Sequence, residues 1–206
     1  MSANPKPYLT PTEYLTVERK QKYKSEYWNG ELYAMAGASE RHNLITTNVV
    51  AGLHTQLCGR SCKVYPSDMR VQIKATGLYT YPDVVVVCGK PQFEDEETDT
   101  LLNPTVIVEV LSKSTETYDR GKKFENYRTL DSLTEYVMIA QDRVHVEHYV
   151  RQQDNQWLLS ETKELQDAIE LPTIQCTLAL ADVYDKVDFQ ASSNVLRENS
   201  DVSKIL

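Results

Sequence analysis

Two acidic side chains sit where acids are costly. The runs Tyr81 to Cys88 and Thr105 to Leu111 are almost continuously apolar and β-branched, and each carries one acid, Asp83 and Glu109. Runs of that kind form strands buried on both faces, at the centre of a sheet covered by helices. A carboxylate inside such a strand loses its hydration, so it needs a counter-charge or a bound cation. Placed at one level on neighbouring strands, Asp83 and Glu109 make a site for a hard divalent cation. Magnesium takes oxygen ligands, keeps several waters and needs only one or two protein carboxylates beside substrate oxygens. The backbone carbonyl of Val110 is a further ligand candidate. The expected metal ligands are therefore Asp83, Glu109 and Val110, with Mg2+ as the ion and Mn2+ as a substitute in vitro. A cation held there can activate water and offset charge on a phosphate.

The ordinary explanations are these. Pro82-Asp83 also suits a plain strand start, and Asp83 could pair with an arginine such as Arg70. Glu109 has apolar neighbours on both sides and resists that reading. Two lysines compete for a place beside the acids. Lys113 is four residues after Glu109, and Lys123 is four after Asp119, where a surface ion pair along a helix is the plain alternative. Spacing does not choose between them. Lys122 lies about 100° round the helix from Lys123 and points elsewhere. His42 opens a helix, where free N–H groups favour an anion. It can touch a phosphate or assist an attacking water, or simply bond locally. Glu26 either reaches a metal through water or is a strand-face charge. His54, His145 and His148 read as structural, and Tyr81, Tyr127 and Tyr136 as core aromatics. No glycine-rich phosphate loop and no G-x-S-x-G motif occurs.

Several elements must position these residues. Thr10-Pro11-Thr12-Glu13 starts a helix that should run to about Lys20. Asn29-Gly30 turns a hairpin between two short strand pieces. Ser39 caps a helix over Glu40 to Cys58, with Leu44, Ile45, Val49, Leu53 and Leu57 at helical spacing. Lys63 to Lys74 reads as one strand with Arg70, Gln72 and Lys74 on a wet face, and Pro66 marks a bend or an edge. After the two buried strands come a helix over Tyr118 to Thr129 and strands over 135–140, 143–151 and 156–162, with a hairpin turn at 152–155. Leu178 to Val183 is a last apolar segment. The expected organisation is a single domain over 1–189 and a flexible tail over 190–206.

The chain has 206 residues, 41% hydrophobic and 25% charged, which excludes disordered, collagen-like and coiled-coil classes. The longest apolar run, Val84 to Cys88, is too short to span a bilayer, and the polar start lacks a signal-peptide core, so a cytoplasmic protein is expected. The four cysteines are too scattered for a disulfide framework and are expected as reduced thiols. The net charge of −8 argues against a general nucleic-acid coat. Residues 94–99 hold five acids and no base, and 185–206 hold four acids and three bases, so the remainder carries only −2. The acidic run reads as a solvated loop. Between Glu109 and Arg128 five bases face four acids, a modest positive patch able to guide a phosphate.

The order Pro82-Asp83, Glu109, then a lysine resembles the PD-(D/E)XK nuclease superfamily. The strict pattern puts the lysine two residues after the acid, where Leu111 stands. Glu109-Val-Leu-Ser-Lys-Ser-Thr115, Asp119-Arg-Gly-Lys-Lys123, Tyr127 and Glu135-Tyr136 resemble the Uma-type restriction-endonuclease-like family, a bacterial domain of unknown function. In that family the lysine has moved onto the following helix, and Lys123 matches it. Glu26, Gly30-Glu31 and Arg41-His42 match upstream, so the likeness spans roughly residues 8 to 188. The family's aspartate after the Glu135-Tyr136 strand is replaced by Ala140-Gln141. The resemblance implies an α/β fold with a restriction-endonuclease-like core: a central mixed β-sheet flanked by helices, with additional C-terminal strands. It implies a metal-dependent endonuclease acting on DNA, with Asp83, Glu109 and Lys123 catalytic and His42, Glu26 and Lys113 secondary. It also implies a homodimer or higher homo-oligomer. The alternative is a nuclease-fold module that binds nucleic acid or protein without cutting.

Overall fold

Local rules set the first elements. The Thr10 hydroxyl accepts the Glu13 N–H at 3.3 Å while the Glu13 carboxylate accepts the Thr10 N–H at 2.8 Å, and Pro11 fills the first helical position of α1 (Pro11–Glu18). This geometry comes from a computed structural model of the chain that describes residues 8–189, so the tail expected over 190–206 lies outside the described residues. Strands β1 (Ser25–Trp28) and β2 (Glu31–Ala34) pair across Asn29 and Gly30, whose φ values of 48° and 84° are the left-handed pair that a tight hairpin turn requires. Helix α2 (Glu40–Leu57) begins where the Ser39 hydroxyl accepts the His42 N–H, and it buries Ile45, Val49, Leu53 and Leu57.

Strands β3 (Cys62–Pro66), β4 (Arg70–Ile73), β5 (Leu78–Thr80), β6 (Val84–Cys88), β7 (Thr100–Leu101) and β8 (Val106–Leu111) follow. Next comes a helical stretch made of α3 (Glu116–Tyr118), a π-turn (Asp119–Lys123) and α4 (Phe124–Tyr127). Strands β9 (Glu135–Ala140), β10 (Val146–Arg151), β11 (Trp157–Thr162), β12 (Ala168–Leu171) and β13 (Cys176–Ala179) lead to α5 (Leu180–Val183). A six-stranded sheet runs β11-β10-β9-β8-β6-β3, a five-stranded sheet runs β2-β1-β5-β4-β7, and β12-β13 form a hairpin. In the larger sheet β8 and β9 are parallel and the other pairs antiparallel, so the central sheet is mixed, as expected. Alternation along β6 explains its continuous apolar run. Val84 and Val86 pack with α2, while Val85 and Val87 pack with β4, β5 and α4. Truncating one α2 anchor, such as Leu53→Ala, would cost about 2–5 kcal/mol.

Three expectations are corrected. The stretch 63–74 is two strands, because the chain turns at Pro66 and Met69 and moves from the larger sheet to the smaller. Arg70 is therefore not on a wet face: it is 3% exposed and donates to Thr100 Oγ1, Tyr81 Oη and Asp99 Oδ2 at 2.8–2.9 Å. The acidic run is partly tied down, since Asp95 and Asp99 both take Arg19, and Glu94 accepts the Tyr79 hydroxyl. The Arg19 hydrogen bond, helped by Arg70 and opposed by burial, holds the Asp99 carboxyl well below its ordinary range. A depressed folded pKa means that the stabilisation is complete above about pH 4 and fades as acid is added below it. Asp99→Asn should therefore flatten the acid limb of the stability curve. At neutral pH it should lower the melting temperature by about 2–4 °C, taking about 1 kcal/mol after discounting for exposure.

The cysteines are the third correction. Cys62 and Cys88, register partners of β3 and β6, are joined in a disulfide, while Cys58 and Cys176 are free. No spacing rule pairs two residues so far apart in the chain, and only the register brings them together. Thiol titration in denaturant should count two thiols without reductant and all four after reduction. Four thiols before reduction would remove the bridge.

Candidate active site

Strands β6 and β8 pair Val84 with Val108, and one further step of that register sets Asp83 opposite Glu109. Asp83 Oδ2 accepts the Val110 N–H at 2.7 Å and lies 3.1 Å from His42 Nε2, which the first turn of α2 supplies. Glu109 is 3% exposed. Its Oε1 accepts the Tyr127 hydroxyl at 2.8 Å and Lys123 Nζ at 2.8 Å. Lys123 Nζ is also 3.3 Å from Glu26 Oε1 and 3.6 Å from Asp119 Oδ1. Thr80 Oγ1 hydrogen-bonds Glu26, and Tyr118 lies against the same carboxylate.

A lysine on a helix reaches this cluster because of the π-turn. Its wider turn buries both Asp119 and Lys123, while Arg120 pairs with Glu147 on β10 and Lys122 points outward to Glu125. Such a turn breaks the regular carbonyl pairing of the helix. Here the Tyr136 hydroxyl donates to the Asp119 carbonyl at 3.1 Å, and Asn126 Nδ2 donates to the Lys122 carbonyl at 2.6 Å.

Three carboxylates, Glu26, Glu109 and Asp119, thus meet one ammonium, and Asp83 with His42 stands opposite Glu109 on the neighbouring strand. Burial, reinforced by Asp119 and Asp83 and opposed by Lys123, pushes the Glu109 carboxyl up to about 8. Burial likewise raises Asp119 against the pull of Lys123. Burial works against the charge on Lys123, but Glu109, Tyr127, Glu26 and Asp119 outweigh it, and the ammonium is held protonated well above the ordinary lysine range.

This donor set fits a hard cation. Glu109 Oε1 and Asp83 Oδ2 are engaged as described, and Glu109 Oε2 and Asp83 Oδ1 make none of those contacts. The Val110 N–H points at Asp83, and a strand residue sends its carbonyl to the same side as its N–H. Two carboxylate oxygens, one carbonyl and a buried surplus of negative charge suit Mg2+, which completes its shell with water and phosphate. Among the described residues no group of three or more His, Cys, Asp or Glu forms a ready-made cage.

Of the residues singled out in sequence, Asp83, Glu109, Val110, Lys123, Glu26 and His42 come together. Lys113 is exposed and enters none of these contacts. Arg70 pairs with Asp99 rather than Asp83. His145 and His148 pair with Glu161 and Glu135. Glu135 also accepts the Thr173 N–H at 2.7 Å, tying the β12–β13 hairpin to the central sheet. Asp119 and Tyr127, which the quoted motif contains, make contacts that the sequence did not assign to them, and Tyr118 is a site member that the sequence did not single out. Helical spacing points the same way for Asp119: once Lys123 turns inward, a residue four earlier follows.

A mixed sheet covered on both sides, with opposed acids on two central strands and a lysine delivered from the next helix, defines a restriction-endonuclease-like α/β protein. The chain belongs to the Uma2 family, described as "Putative restriction endonuclease", whose model matches residues 11–182. It is 42% identical over 153 residues to the uncharacterized protein sll1609 of Synechocystis sp. (strain ATCC 27184 / PCC 6803 / Kazusa), a match covering 74% of this chain and 86% of that one. It is 36% identical over 185 residues to the uncharacterized protein slr1290 of the same organism, covering 90% and 96%. The crystal structure of a "putative nuclease belonging to DUF820" from Anabaena variabilis ATCC 29413 shares the fold, with a TM-score of 0.68 at 18% identity over 85% of this chain and 97% of that one. Among the described residues no helix is long and apolar enough to cross a membrane.

Proposed function

We propose that this protein is a metal-dependent endonuclease that hydrolyses phosphodiester bonds, with DNA as its substrate. The observation that carries the reading is Lys123 Nζ seated 2.8 Å from Glu109, with Asp83 opposite Glu109 on the neighbouring strand. Asp83, Glu109 and the Val110 carbonyl would hold Mg2+, or Mn2+ in its place. When bound, such an ion lowers the pKa of a coordinated water and offsets charge on the scissile phosphate. Lys123, kept charged by its carboxylates, orients the attacking water and stabilises negative charge building on the phosphate. Tyr127 fixes one oxygen of Glu109 and leaves the other for the ligand role. His42 holds Asp83 in place at the start of α2, Glu26 and Asp119 hold Lys123, and Lys113 on the loop after β8 contacts a phosphate outside. A homodimer would present two such sites to the two strands of a duplex.

The test is cleavage of supercoiled and single-stranded DNA with Mg2+ or Mn2+, comparing wild type with Asp83→Ala and Lys123→Ala. Each substitution should lower the rate by about two or more orders of magnitude. Products that survive Lys123→Ala but not Asp83→Ala would move the role to Lys113. Equal activity in all three samples would refute the reading.

A further inference from the structure

Tyr33 is the register partner of Glu26 across the β1–β2 hairpin. Partners in an antiparallel pair lie on one face with Cβ atoms about 5 Å apart, so Tyr33 shares the face on which Glu26 meets Lys123. Strand β2 is an edge of the smaller sheet, and Tyr33 is 47% exposed. On the opposite face Tyr27 is buried against Tyr14 and Tyr79. The hairpin thus spends one aromatic on the core and leaves another half-exposed on the face of the carboxylate–lysine centre. The Tyr33 hydroxyl donates to Glu31 Oε2 at 3.3 Å.

The chain just before β1 is basic. Lys24 is occupied by Asp68 and the Ser67 carbonyl, but Lys20 and Lys22 are exposed and enter none of the described ion pairs. Lys22 is four residues from Glu26, a reach of at most about 14 Å. Arg41, next to His42, and Lys113, beyond β8, are also outside the described ion pairs. Lys22 thus brings an exposed positive charge within chain reach of the hairpin, in a chain whose net charge is −8.

We propose that Tyr33 is a nucleobase platform, on which an unpaired base beside the scissile phosphate stacks while Lys22 takes a neighbouring phosphate. The preferred substrate is then a single strand or a locally opened duplex. The proposal rests on the nuclease reading above. Stacking on an aromatic ring tolerates any sequence, because every base has a π-face, but an intact duplex hides those faces.

The test is fluorescence anisotropy of a short labelled single strand, and of the same sequence as a duplex, with Ca2+ present. Tyr33→Ala should weaken single-strand binding about tenfold, Tyr33→Phe should change it less than about twofold, and duplex binding should hold. Leu158→Ala, at an exposed side chain on β11, an edge strand of the larger sheet, should behave as wild type. Abasic substitutions along the strand should find one position where loss of the base costs wild type about tenfold and costs Tyr33→Ala nothing. Unchanged binding by Tyr33→Ala, equal loss with Tyr33→Phe, equal loss on duplex, or an abasic cost that persists in Tyr33→Ala would each overturn the platform. A wild type that binds no nucleic acid would overturn both proposals. One that binds with the cycle intact yet never cuts would overturn the nuclease reading and leave the platform standing.

Discussion

Lys123→Met should abolish cleavage and destabilise the fold together. Cleavage should fall by about a hundredfold or more, because the substitution removes the one fixed positive charge in the cluster. Stability should fall as well. Glu109, Glu26 and Asp119 lie within 4 Å of Lys123 Nζ and would face one another in a buried setting without it. Breaking a buried pair by removing one partner costs about 3–5 kcal/mol, or about 6–20 °C in melting temperature for a chain of this size. Lys123→Arg separates the two effects. Its charge should restore much of the stability, while its planar fork cannot take the place of an ammonium among three carboxylates and should leave cleavage low. Calorimetry and plasmid cleavage at 25 °C on the same samples check both. Cleavage by Lys123→Met within about threefold of wild type would remove the lysine from the chemistry.

The parts of this site that could be read in sequence were those whose burial cost shows in one dimension. Asp83 and Glu109 stand out because their strands are otherwise apolar, and a carboxylate there demands a reason. The helix starts at Thr10 and Ser39 and the turn at Asn29-Gly30 are local chemistry and lie where local chemistry puts them. The choice of Lys123 over Lys113 was not legible from spacing. It depends on a π-turn held by Tyr136 and Asn126, which no periodicity announces. Arg70 looked wet because its strand alternates, yet both faces of β4 are used: one packs on the core and the other holds a buried network with Tyr81 and Asp99. Asp119 looked like the surface partner of Lys123 for a related reason. An ion pair four residues apart on a helix has the same sequence whether it faces water or a catalytic cluster. The Cys62–Cys88 bridge needed strand register, a long-range quantity.

Asp83→Asn should produce the opposite stability signature from Lys123→Met with the same loss of cleavage. Asp83 Oδ2 accepts from Val110 and faces His42. An asparagine carbonyl can keep the Val110 bond, so the strand ends should hold. The substitution removes one of the like charges that raise the Glu109 carboxyl, behind the larger effect of burial. In EDTA the variant should therefore melt at or slightly above the wild-type temperature. Divalent metal should reverse the order. A cation at a hundredfold its Kd stabilises the state that binds it by about 2.7 kcal/mol, or about 5–11 °C for a chain this size. Wild type should show that shift in Mn2+ and Asp83→Asn should show almost none, with cleavage down by about two or more orders of magnitude. An equal Mn2+ shift in both proteins would place any bound cation away from Asp83. The predicted crossing of the two melting curves has a physical origin: Asp83 adds a like charge beside Glu109 and Asp119, which a bound cation would offset. An acid whose removal spares the fold while ending the reaction, and whose charge a cation offsets, would be there for chemistry rather than for holding the fold together.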